Sequence, residues 1–250
     1  MRKLEIQPPT CYNLTMSVFI SIGILILSML ILIFLQLSPG VFALTYHYAL
    51  GKYSKNQASF LTLLFIIGVE IISTCIFLST YFLVSTLFFA GFRPETSVLT
   101  WILAGILIAL GFLAFFHYFR PGTGTKLFIS QKYSKGFKYS AKTIKTKSDA
   151  FVLGVMSSVS EFIYTFPLYV LASAEIVRLS LYGITINLFA LLFVLTPLLP
   201  LFIIRYKYQA GYNLADIIKT RTKNKPFTRF ILSFNYLIIA ILILCFRTIF

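Results

Sequence analysis

The chain has 250 residues, of which 58% are apolar and only 12% are charged, and its formal net charge is +15. Soluble domains average roughly 45–50% apolar and about 25% charged residues, so this composition excludes an ordinary soluble domain. The charged residues lie between apolar stretches long enough to cross a bilayer, which predicts an all-α polytopic membrane protein.

Six transmembrane helices are predicted in chain order, each about 20 residues long or longer. They cover residues 18–50, 60–83, 98–119, 150–174, 182–204 and 227–246. We divide the chain into an N-terminal extension, a first three-helix repeat, a basic cytoplasmic loop and a second three-helix repeat. These cover residues 1–15, 16–120, 121–149 and 150–250.

The first apolar run is too long for one straight span, and Pro39 lies within it. Proline lacks the backbone N–H and clashes with the preceding helical turn. We therefore expect a kinked or discontinuous helix, with a half-span that re-enters the membrane as the alternative.

The distribution of basic residues predicts the orientation. Most of the 22 lysines and arginines lie in the loops after the first, third and fifth spans. These loops should be cytoplasmic and both termini outside, in the cytoplasmic (inner) membrane of the cell. The same rule accounts for the net charge, so we expect no nucleic-acid partner.

The basic loop at residues 121–149 allows two interpretations. It is either a basic amphipathic helix on the inner leaflet or a flexible loop whose charges only determine the topology. In the first case its lysines would bind anionic lipid head groups, each contributing about 1 kcal/mol.

The two halves of the chain show a weak internal similarity. When Pro39 is aligned with Pro167, the apolar segments of all three spans match without a gap. Because each half has three spans, related halves would have opposite orientations. The sequence thus predicts two inverted three-helix repeats, a recurrent transporter plan with its site near the membrane midplane.

Two carboxylates, Glu70 and Glu161, lie in the middle of apolar spans. A carboxylate at bilayer depth costs roughly 2.5 to 3.5 kcal/mol on insertion scales, so it usually faces a partner or a water-filled cavity. Ser160 and Pro167 lie close to Glu161 in sequence. We interpret both carboxylates as parts of a proton, ion or solute pathway; structural hydrogen bonds to neighbouring helices are the alternative.

The end of the first span adds further candidates. Pro39 and Gly40, preceded by Ser38, would free backbone groups that can coordinate an ion or a polar solute. A simple kink for helix packing is the alternative. His47 is a candidate proton relay or, alternatively, an interfacial residue.

No catalytic triad, phosphate-binding loop, dinucleotide motif or metal signature is recognisable in the sequence. The three cysteines are scattered and form no C-x-x-C pair. We therefore predict neither an enzyme nor a bound cofactor or metal. Glu175 and Arg178 are expected to form a loop pair outside the membrane.

Two stretches resemble the lysine-exporter superfamily. They are Leu37-Ser38-Pro39-Gly40-Val41 in the first span and Ala150-Phe151-Val152-Leu153-Gly154 at the start of the fourth. Pro167 matches the fourth-span proline of that superfamily and of the related thiol-disulfide transmembrane proteins. The resemblance implies two inverted three-helix repeats and export of small solutes or cations. The thiol-disulfide members carry one cysteine in each of the first and fourth spans, which here have none.

The leading hypothesis is a secondary exporter of a small polar or cationic solute, coupled to protons or cations through the intramembrane carboxylates. The alternative is a non-transporting membrane component of a redox or assembly complex on the same scaffold. A lipid-modifying membrane enzyme is a third hypothesis. A homo-oligomer is compatible with each of them.

Overall fold

The computed structural model describes residues 11–49, 54–90, 98–118, 146–181, 186–212 and 214–247. Within these ranges, side chains of some segments, notably 36–49 and residue 160, lie outside the description. The described residues are helical and contain no strand. The helices are α1 (Cys11–Ala49), α2 (Lys55–Phe89), α3 (Val98–Leu113), a π-helical turn (Ala114–Tyr118), α4 (Lys147–Ser160), α5 (Phe162–Leu181), α6 (Ile186–Leu195), α7 (Leu198–Gln209) and α8 (Leu214–Arg247).

Four of the described helices are long and apolar enough to cross a membrane, or up to five segments if one bent pair is counted as a single span. They are Met16–Leu35, Asn56–Phe89, Phe162–Ser180 and Pro226–Phe246. Large apolar side chains on these helices, such as Phe19, Phe82 and Phe227, are mainly exposed. Outward-facing apolar surface of this extent suits lipid better than water, so the chain is a multi-pass membrane protein.

Helix α1 continues through Pro39 without interruption and ends at Ala49. Of the two forms expected from the sequence, kinked and discontinuous, the discontinuous one is wrong, because the helix has no break at Pro39. Proline removes a single helical hydrogen bond, and membrane helices tolerate this loss when neighbouring groups compensate for it.

The interruptions lie elsewhere, in the fourth and fifth predicted spans. Glu161 separates α4 from α5, and Thr196 with Pro197 separates α6 from α7. The helices on either side of the second interruption are bent by 50°. Prolines at 197 and 200 each lack an N–H, which accounts for the break in the fifth span.

The core consists of two apolar clusters. The larger one joins α1, α3, α5 and α8 and includes Phe77 of α2 and Phe193 of α6; Tyr164, Tyr169 and Tyr236 are among its largest fully buried side chains. The smaller one joins α2, α4 and α7 around Phe65, Leu153 and Leu201. Helix α2 and the pair α4 and α5 are in extensive contact, as are α3 and α8.

Helices α2 and α4 approach each other closely at two glycines. A Cβ atom on Gly68 would collide with the carbonyl oxygen of Phe151, and one on Gly154 would collide with that of Phe65. Small residues allow such close packing between membrane helices. This contact brings the C-terminal end of α4, and with it Glu161, next to the middle of α2.

Candidate functional site

Glu161 is the residue at which the fourth predicted span is interrupted. Its N–H group donates to the carbonyl oxygen of Ser158 at 3.2 Å, and its carbonyl oxygen accepts from the N–H groups of Tyr164 and Thr165, both at 3.0 Å. The residue has helix-ending backbone angles, φ −95° and ψ 0°. Its side chain has no exposed surface. A carboxylate thus occupies a buried helix junction.

The junction brings backbone polar groups to the interior of the protein. At a helix end, backbone groups lack hydrogen-bond partners within the helix. This applies to the first N–H groups of α5 and to the last carbonyl groups of α4. Within a membrane, interrupted helices are tolerated only where protein or a water-filled cavity surrounds them. The N-terminal end of α5 also carries the partial positive charge of the helix dipole beside this carboxylate.

Two buried tyrosines surround Glu161. One is Tyr164 in the first turn of α5, and the other is Tyr236 on α8. The phenol group of each is close enough to the carboxylate to interact with its charge. The Tyr236 hydroxyl donates to the carbonyl oxygen of Tyr164 at 2.9 Å. Both side chains are fully buried. This arrangement connects the α4–α5 junction to α8 through polar groups inside an otherwise apolar core.

Glu70 lies on α2 and is partly buried. Its Oε1 atom accepts a hydrogen bond from the Thr74 hydroxyl at 3.4 Å, one turn further along the helix. The phenol group of Tyr169 on α5 lies within electrostatic range of Glu70 and hydrogen-bonds with Ser73. Polar side chains of α2 and α5 therefore lie around Glu70, as they do around Glu161.

The two carboxylates have different neighbours on α5. Glu70 is close to Tyr169, whereas Glu161 is close to Tyr164. Residues five positions apart lie on different sides of a helix with 3.6 residues per turn. The structure therefore places the carboxylates in two adjacent sites that share α5.

The structure places the other predicted site residues as follows. Pro167 is buried within α5 and does not interrupt that helix. Ser160 is the last residue of α4, and its side chain lies outside the described part. Helix α1 contains four more of them, but the structure does not describe their side chains: Ser38, Pro39, Gly40 and His47. These residues remain predictions.

Glu175 and Arg178 are not in a loop, contrary to the expectation from the sequence. Both belong to α5, and Glu175 is fully buried. Arg178 donates a hydrogen bond to the Ser17 hydroxyl of α1. The hydropathy pattern ended the span too early because two charged side chains lower the local average. The described residues contain no group of three or more His, Cys, Asp or Glu side chains that could hold a metal ion.

A depression of about 360 Å³ lies at one end of the bundle, between the start of α2 and the end of α7. It is lined by Asn56, Ser59, Phe60, Arg205, Tyr208 and Gln209. No pattern in the sequence indicates this depression. Its residues come from segments far apart in the chain, and only the packing of α2 against α7 brings them together.

No protein-family model matches this sequence, and neither the curated proteins nor the solved structures include a significant match to it. The resemblance to the lysine-exporter superfamily remains a prediction based on the two short stretches described above.

Proposed function

We propose that the protein is a secondary transporter of the cytoplasmic (inner) membrane that exports a small polar or cationic solute. Glu161 binds the coupling proton or cation, or the solute itself, and Glu70 provides a second carboxylate beside it. The scaffold is of the lysine-exporter type, with six spans in two inverted repeats.

The observation that carries this proposal is the fully buried carboxylate at the α4–α5 junction. Discontinuous helices near the midplane are a recurrent way for transporters to expose backbone groups to an ion or solute. A carboxylate inside a span is itself expensive and is usually retained for a function. Both features occur at one residue, Glu161.

The pattern of helix contacts supports the inverted repeat. In such an arrangement α1 corresponds to α4 and α5 together, α2 to α6 and α7, and α3 to α8. The contact of α2 with α4 and α5 then has its counterpart in the contact of α1 with α7. The contacts of α1 with α5, of α2 with α7 and of α3 with α8 each join equivalent helices. The symmetry is incomplete, because α1 and α2 lack the interruptions found in their partners.

A flux assay on the purified protein in liposomes tests the proposal. A pH-sensitive dye inside the vesicles reports proton movement when lysine or another small cationic solute is supplied under a gradient. We expect the wild type to couple solute and proton movement. Glu161→Gln should reduce the flux to that of protein-free vesicles, because an amide cannot take up a proton or neutralise a cation.

Asp149→Asn is the matched control. It makes the same charge change within α4, where Asp149 is exposed and its Oδ2 atom accepts a hydrogen bond from the N–H group of Thr146. An asparagine oxygen can accept that bond, so we expect wild-type flux. Full flux in a correctly folded Glu161→Gln protein would contradict the proposal. Absence of flux for every solute and gradient, in a folded wild type, would favour a non-transporting membrane component instead.

A further inference from the structure

The depression between α2 and α7 contains an excess of hydrogen-bond donors. Arg205 directs its Nε and one Nη atom to the Ser59 hydroxyl oxygen, at 3.2 Å and 3.1 Å. Gln209 directs its Nε2 atom to the same oxygen at 2.9 Å. A hydroxyl oxygen has two lone pairs, so it cannot fully accept three N–H groups. The three donors share one neutral oxygen, and an oxyanion bound beside Ser59 would accept from them more strongly.

The charge around this point is positive. Arg205 is partly buried and forms no ion pair with a carboxylate in the part of the chain that the structure describes. Lys147 of α4 lies with its Nζ atom 5.2 Å from the centre of the Phe60 ring, which lines the same depression. The first turn of α2 contains no acidic residue, and Asp149 is the acidic residue in the first turn of α4. An anion would therefore meet two cations there.

The position of the depression indicates which kind of anion could bind there. It lies at the ends of two helices that adjoin the basic loops, which is the membrane-surface end of the bundle. Aromatic side chains mark this level: Phe60 is 44% exposed and Tyr206 is 72% exposed. Aromatic residues concentrate where acyl chains meet head groups. A lipid could place its phosphate among the donors while its chains follow the exposed apolar faces of α2 and α7.

We propose that this depression is a binding site for the phosphate group of an anionic phospholipid from the inner leaflet. Arg205 provides the guanidinium group, Gln209 and Asn56 provide amide donors, and Lys147 contributes a second positive charge. The site belongs to the folded bundle and is distinct from the general attraction of the basic loop for acidic membranes. It does not depend on the transport activity.

The test uses the full-length protein, delipidated in detergent, with phosphatidylglycerol added and bound lipid counted by native mass spectrometry. Arg205→Gln should bind phosphatidylglycerol about tenfold more weakly, as expected for the loss of one charge-assisted hydrogen bond. Arg229→Gln is the matched control, because it removes the same charge from a residue that lies over the Phe115 ring instead. This control should bind the lipid as the wild type does.

Ser59→Ala provides a second variant with the opposite expectation. It removes the hydroxyl oxygen that now receives the three donors and leaves them available. Phosphatidylglycerol binding should therefore be unchanged or stronger. Equal weakening by the Arg205 and Arg229 substitutions would overturn the proposal, because it would indicate diffuse electrostatic attraction. Competition by inorganic phosphate at concentrations comparable to those of the lipid would also overturn it, because the ligand would then be a soluble phosphate.

Discussion

At the residue scale, polar atoms around Glu161 form the candidate site. A buried carboxylate keeps its position only if the surrounding groups hold it, and the phenol groups of Tyr164 and Tyr236 are among its neighbours. The hydrogen bond from Tyr236 to the backbone of α5 anchors α8 beside the α4–α5 junction. We therefore expect Tyr236 to contribute to the stability of the bundle as well as to the polarity of the site.

Tyr236→Phe tests this role. The substitution removes one buried hydrogen bond and keeps the ring, so the free energy of unfolding should fall by about 1 kcal/mol. Unfolding of the purified protein in mixed micelles with increasing SDS measures the change. Tyr206→Phe is the control, because Tyr206 is 72% exposed and its hydroxyl can find water or head groups. Equal stability of the two variants would show that the Tyr236 bond contributes nothing.

The sequence singles out Glu161 as a candidate site residue but does not predict the manner of its burial. A lone carboxylate in an apolar run is visible in sequence because hydropathy scales register its cost. The helix interruption is less visible, since it depends on weak preferences. Ser157, Ser158 and Ser160 precede the junction, and serine side chains compete with backbone groups for hydrogen bonds.

At the element scale, the contact between α2 and α4 positions the site. The Ser158 hydroxyl donates to the carbonyl oxygen of Val69 at 3.2 Å, next to the close approach at Gly68 and Gly154. Backbone atoms cannot move aside as a flexible side chain can. Any added side-chain volume must therefore separate the two helices and shift the α4–α5 junction.

Gly154→Ala should destabilise the protein by about 1–3 kcal/mol, the usual range for overpacking a tight contact. The melting temperature in detergent measures this loss of stability, with size-exclusion chromatography used to monitor the folded protein that remains after heating. Gly105→Ala is the control, because nothing lies within 4 Å of a Cβ atom at that position. There the higher helix propensity of alanine should leave stability unchanged or raise it by up to about 1 kcal/mol. A Gly154→Ala protein as stable as this control would contradict the close packing.

The sequence also predicted helices more successfully than their interruptions. Apolar runs indicate where helices form, because only helices satisfy the backbone within lipid. A single proline is a weaker signal. Pro39 and Pro167 both lie within continuous helices, whereas Pro197 lies at a break and has Pro200 close behind it. A helix can lose one hydrogen bond more easily than two in succession, and a single sequence does not show which neighbours compensate.

At the scale of the whole molecule, composition and charge distribution indicated a multi-pass helical protein, and the four to five apolar segments agree with this. The number of six spans depends on the segment Thr100–Phe116, which is apolar but short, and on treating the divided segments as single spans. The positions of the carboxylates relative to α5 could not be predicted, because they depend on the rotation of each helix about its axis.

In the proposed transporter, Glu161 faces a pathway which opens to water during transport. Ser157, buried one turn before it on α4, is suited to a reporter cysteine because serine and cysteine differ little in size. The measurement uses a variant with Cys11, Cys75 and Cys245 replaced, and a membrane-impermeant thiol reagent is applied from either side of sealed vesicles. Two control positions are used, one accessible to water and one facing lipid. A cysteine at the exposed Tyr212 should react only from the cytoplasmic side, and one at Val159, which is 57% exposed on the outer face of α4, should react from neither.

We expect the cysteine at position 157 to react from at least one side, and the reactive side to change when the solute gradient is reversed. Failure to react from both sides under every gradient, with Tyr212→Cys labelled normally, would mean that the carboxylate is sealed in a dry helix contact and would contradict the transport proposal.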